Sequence, residues 1–166
     1  MNGRTGSSQT GVRPPEFRVH HTGPRRDTAS AMSDENVETV RRAWDAWLGG
    51  DLETLFGTYF DADSIYDLTH FREWPDHTYR GVDGVRRGLT EWLSVWTDWK
   101  AGVDEILPAP DGRVVVLTWQ RGKGRESGLP MSMEWAQVIT VKDGKFRRVE
   151  AYDDRREALE AAGLSG

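Results

Sequence analysis

The sequence predicts an α+β fold built on an antiparallel sheet, and three observations predict it. Three stretches with helical periodicity come first, between Ser33 and Trp96. From Trp99 onward the period shifts to alternation, with turn-forming residues at 108–112, 122–130 and 142–145. A short helical stretch, Arg155 to Ala162, follows. Helices, then consecutive hairpin strands, then a helical stub is the order of an α+β domain rather than of alternating βαβ units. The length of 166 residues suits one such core.

Ser33 is a suitable N-cap for the first helix, and Asp34 and Glu35 fall in its first turn, where acids complement the helix dipole. Val37, Val40, Trp44, Trp47 and Leu48 recur at helical spacing until Gly49-Gly50 stops the helix. Asp51 can cap a shorter second helix with Leu52, Leu55, Phe56 and Tyr59 on one side. Ser64 to Asp67 reads as a short strand, and Leu68 to Arg80 as a long loop, a feature that is often functional in compact domains. Gly81 to Gly84 opens a third helix, with Val85, Leu89, Trp92 and Trp96 inward and Arg86, Arg87, Glu91 and Asp98 solvated. The later strands are read at Val103–Leu107, Arg113–Arg121, Met131–Lys142 and Phe146–Tyr152, the last two joined by a tight Lys142-Asp143-Gly144-Lys145 turn.

Composition narrows the function classes. Eight Trp give a modest hydrophobic fraction of 37 % enough bulk for a sizeable core. The absence of cysteine excludes disulfides, thiolate zinc sites and thiol nucleophiles, and fits a reducing cytoplasm. No apolar run is long enough for a membrane span. The net charge of −5 argues against a nucleic-acid partner. Residues 1–31 stand apart: five Arg against Glu16 and Asp27 give a local charge of +3, leaving −8 for the rest. They lack Trp and Leu, which predicts a disordered tail or a mis-set start, with the single folded domain at 32–166.

The pieces "WLGGDLETLF", "FDADSIYD", "YRGVDGVRRGLTEW", "MEWAQVITVKDGKFRRVEAYDD" and "RREALEAAGL", in that order from Val37 to Leu164, resemble the SnoaL-like branch of the nuclear transport factor two superfamily. Ketosteroid isomerases, limonene epoxide hydrolases and scytalone dehydratase share that superfamily. The resemblance implies a cone: a curved antiparallel sheet closed by three N-terminal helices, a cystatin-like α+β barrel whose wide mouth holds a ligand. It also implies a homodimer formed through the outer sheet face, around Trp119, Glu134 and Val138, and no cofactor. The expected partner is a small apolar or aromatic metabolite.

Asp67 falls where ketosteroid isomerases place their general-base aspartate. Ile65 and Asp67 share one face of a short strand by alternation, so the carboxylate is expected to point inward, lose solvation and rise in pKa toward the range of a general base. His70 is the second choice as an acid–base group. Ala43 stands at the position of those enzymes' helix-one tyrosine, and Gln137 at that of their acidic donor. These departures put steroid isomerisation aside and leave aldol cyclisation, dehydration or hydrolysis open. The expected ligand contacts are Tyr66 and Trp74 near the mouth, with Trp135, Gln137, Met133 and Tyr152 on the strands. His70 and His77 lack the close spacing of a helical zinc pair, and no metal is expected. A non-catalytic ligand-binding or dimerisation module is the rival reading.

Overall fold

The computed structural model describes residues 24–164 apart from 73, 75 and 76. The expected tail lies, for residues 1–23, outside the described residues. The chain divides into two units after Met32, and the fold below is that of the second, Ser33–Gly166.

Helix α1 runs over Pro24–Leu48. Ser33, expected to cap it, therefore lies inside it. Proline suits a first helical position because the N–H it lacks would have no partner there. Asp51 caps α2 (Leu52–Tyr59) as expected, accepting from the Thr54 backbone N–H. Strand β1 (Ile65–His70) and the three-residue β2 (Thr78–Arg80) shorten the expected loop at both ends. Helix α3 (Gly81–Ser94) gives way to β3 (Trp96–Pro108), so Trp96 opens a strand rather than closing a helix. Three strands follow, β4 (Val114–Gly124), β5 (Pro130–Lys142) and β6 (Lys145–Tyr152), then helix α4 (Arg155–Ala161).

The six strands form one curved, unclosed sheet in the order β2-β1-β6-β5-β4-β3. Strands β3 to β6 are an antiparallel meander, as the hairpin turns require. The sheet as a whole is mixed, not antiparallel as expected, because β1 lies parallel to β6 with Ile65 opposite Arg148 and Tyr66 opposite Val149. The two strands are far apart in sequence, so no tight turn forces them to run in opposite directions.

Alternation sorts side chains between two faces. On β4, Val114 and Val116 join the core beneath the N-terminal helices, while Val115 and Leu117 face α4. On β5, Trp135 and Ile139 face the first core, and Ala136 and Val138 the second. Helix α4 is held to the outer face by Arg155, whose guanidinium donates to the Thr118 carbonyl at 2.7 Å and the Trp135 carbonyl at 3.3 Å. It covers Val138, which was expected on a self-associating surface and is instead fully buried within the chain.

Candidate functional site

A cavity of about 70 Å³ opens between the concave sheet face and the helices. Helix α1 contributes Ala43, Trp44 and Trp47, and α3 contributes Gly88, Leu89 and Trp92. Strand residues complete the wall: Tyr66, Leu68 and Tyr79, then Trp99 and Ala101, then Gln120, Trp135, Gln137 and Ile139. Phe71, at the end of β1, stands edge-on to both Trp92 and Trp135. Gly88 is there for close approach. A Cβ at this position would lie 2.7 Å from the Tyr79 ring, so only glycine lets that ring lie against α3.

The lining holds no carboxylate and no histidine among the described residues. Its polar groups are amides, phenols and indoles. Trp44 Nε1 donates to Gln137 Oε1 at 3.1 Å, and Gln137 Nε2 donates to Tyr66 Oη at 2.8 Å. Gln120 Oε1 accepts from Trp92 Nε1 at 3.0 Å and Trp99 Nε1 at 2.8 Å. Tyr79 Oη accepts from Trp74 Nε1 at 3.2 Å and donates to Glu91 Oε1 at 2.8 Å. Glu91, expected on a solvated face, is thus half-buried and engaged with a lining side chain. Burial pushes the Tyr66 phenol well above its ordinary pKa, against the lowering effect of the Gln137 hydrogen bond. Burial also raises Tyr79, opposed by Trp74 and reinforced by Glu91.

Residues 40–149 match the SnoaL-like domain family. The chain belongs to that family. No curated protein matches it. Solved structures similar to this SnoaL-like domain include Bal32a from a soil-derived mobile gene cassette, at 20 % identity over 73 % of this chain and 90 % of that one, with a TM-score of 0.61. TerC, co-crystallised with polyporic acid, is 20 % identical over 78 % and 98 % of the two chains, with a TM-score of 0.60. A phenazine biosynthesis-related protein from Pseudomonas aeruginosa is 17 % identical over 85 % and 93 %, again with a TM-score of 0.60. At these identities the likeness is one of fold.

Asp67 does not sit where the sequence reading put it. Tyr66 and Leu68 face the cavity of the SnoaL-like domain, so Asp67 between them faces the opposite side of the sheet. It is buried there and held: Thr69 donates to Oδ1 through its backbone N–H at 2.8 Å and its hydroxyl at 2.6 Å. Arg148 donates to Oδ2 at 2.6 Å. Burial alone would raise the Asp67 pKa, but the Thr69 hydrogen bonds and the Arg148 charge outweigh it and hold the carboxyl below its usual value. The expected inward, proton-hungry base is an outward, satisfied ion pair.

His70 shares that outer side. The β1–β6 register shifts between Asp67 and His70, and the imidazole stacks on Tyr152 with ring centres 4.3 Å apart. Tyr152 belongs to the α4-facing core, so it is not a cavity contact. Asp67, His70 and Glu150 bring ligand-type atoms within 4.8 Å of one another. The Arg148 guanidinium already lies against both carboxylates, 2.6 Å from Asp67 and 3.7 Å from Glu150, so the arrangement is that of an ion-pair network. Tyr66, Trp135 and Gln137 do line the cavity. Trp74 and Met133 pack behind that wall, Trp74 through Tyr79 and Met133 through Gln120. Sequence reasoning missed Gln120, Trp92 and Trp99. An amide closing the apolar run Val114 to Trp119 was the available sign for Gln120.

Proposed function

We propose that this protein binds a small apolar or aromatic molecule in the cavity between its sheet and helices. The observation that carries the reading is a wall built from aromatic and aliphatic side chains, with a few amide and phenol groups and no charge. Such a composition favours transfer of an uncharged apolar molecule out of water and supplies a small number of orienting contacts. A cavity of about 70 Å³ takes a one- or two-ring compound, since roughly 10–15 Å³ of that measure holds one water. TerC, a protein of similar fold co-crystallised with polyporic acid, supports the small-molecule reading.

Acid–base turnover of the bound molecule is a second reading, and it falls on Tyr79 and Glu91 rather than on Asp67. Glu91 accepts a hydrogen bond from a lining group, so a proton leaving the ligand would pass through Tyr79 Oη to Glu91. Thermal-shift screening of aromatic metabolites tests the binding reading. Compounds that raise the melting temperature should also perturb the indole N–H signals of Trp44, Trp92 and Trp135. Hits that act without touching those signals would place binding elsewhere. Consumption of a hit by the wild type but not by Glu91→Gln would favour turnover; an unchanged rate would set that reading aside.

A further inference from the structure

Hydrogen-bond donors outnumber acceptors around this cavity, and the imbalance follows from tryptophan chemistry. An indole N–H donates and cannot accept. The Gln137 atom facing Trp44 Nε1 must therefore be the amide oxygen, which fixes the side chain's orientation and leaves its Nε2 to donate to Tyr66. Tyr66 Oη is an acceptor in that bond. Its own hydroxyl hydrogen has no acceptor among the described residues.

Gln120 repeats the pattern on the neighbouring strand. Its oxygen serves both Trp92 and Trp99, and its Nε2 is left facing Met133 Sδ at 3.3 Å, a weak acceptor. Trp135 Nε1 has no hydrogen-bond partner among the described residues. All three side chains line the cavity and all are more than nine-tenths buried, at 6 % exposure for Tyr66, 1 % for Gln120 and 7 % for Trp135. Buried donors are normally satisfied. Here the indoles occupy both amide oxygens, and the side chains that carry the surplus donors line the space a ligand would fill.

Resting on the binding function proposed above, we infer that the cavity selects a ligand rich in acceptors and poor in donors: an aryl ketone, lactone or cyclic ether rather than an alcohol, phenol or amine. A carbonyl oxygen with two lone pairs satisfies one or two of these donors and asks for none in return. A ligand hydroxyl would add another donor to a wall that already lacks acceptors. Tyr66 keeps its proton well beyond neutral pH, since burial raises its pKa, so the donor is present under all ordinary conditions.

The test is calorimetric titration with 1-indanone and indane, which share a shape and differ by one carbonyl. In Tyr66→Phe, 1-indanone should bind on the order of tenfold more weakly than in the wild type, while indane changes less than about twofold. In the wild type, 1-indanone but not indane should move the Trp135 indole or Gln120 amide N–H resonances downfield, a readout that needs no variant. Binding of both compounds with no discrimination by Tyr66→Phe and no such resonance shift would leave the cavity a binding site and overturn the donor-surplus inference. Failure of both compounds to bind the wild type would overturn the binding reading, and this inference with it.

Discussion

Asp67 shows how little separates a catalytic carboxylate from a structural one. Its position in "SIYD" matched a general base, and alternation from Ile65 pointed it inward. The same strand holds Tyr66 and Leu68, a second alternating apolar pair, and that pair faces the core. A one-residue choice of register sends every side chain to the other face. Two large inward groups outweigh one half-buried isoleucine, a comparison the sequence permitted. What it did not record was the β1–β6 pairing that brings Arg148 opposite Ile65. Because folding lowers the Asp67 pKa, its ion pair and hydrogen bonds stabilise the protein above the ordinary carboxylate pKa, and that contribution is lost as pH falls through the lowered folded value. Asp67→Asn should cost about 2 kcal/mol in urea unfolding at neutral pH, and the gap to the wild type should close in acid. An unchanged stability at neutral pH would show that the network contributes nothing net.

At the scale of elements, the hairpin strands and the second and third helices were legible because each carries its own punctuation: Asp51 as a cap, Gly81 at a φ of +72°, Gly144 at +75° in the β5–β6 turn. The β1–β6 pairing was not legible, since nothing local records which strand a distant segment will join. The face assignments of β5 were, because Met133, Trp135, Gln137 and Ile139 alternate without a break. Helix α3 and strand β2 meet at Gly88 and Tyr79, and the contact is tight. Gly88→Ala would press its methyl into a ring that Trp74 and Glu91 hold at its far end. The variant should lose about 1–3 kcal/mol by overpacking, with an unchanged denaturant slope. A neutral or stabilising effect, through the usual helix preference for alanine, would mean that Tyr79 is free to swing aside.

For the whole molecule, the apolar-poor composition of residues 1–31 predicts that they add little to stability. A chain beginning at Met32 should melt within about a degree or two of the full chain, as expected where a terminal segment adds little buried surface; a large loss would show that the segment packs on the domain. Among the described residues no helix is long and apolar enough to cross a membrane. Self-association through the outer sheet face around Trp119 and Glu134 remains the expectation drawn from the family, now without Val138, and sedimentation at micromolar concentration checks it: a twofold dimer supports it, a monomer removes it. The central claim is that the cavity is where a small molecule binds. Ala43, fully packed on α1 and lining that cavity, allows a direct measurement. Ala43→Leu adds three carbons to the space without disturbing helix propensity. Titrating 1-indanone into both proteins while recording the melting temperature should give a rise that grows with ligand concentration in the wild type and is lost in Ala43→Leu. Equal rises in both proteins, with Ala43→Leu folded, would contradict the account by placing the ligand outside the cavity.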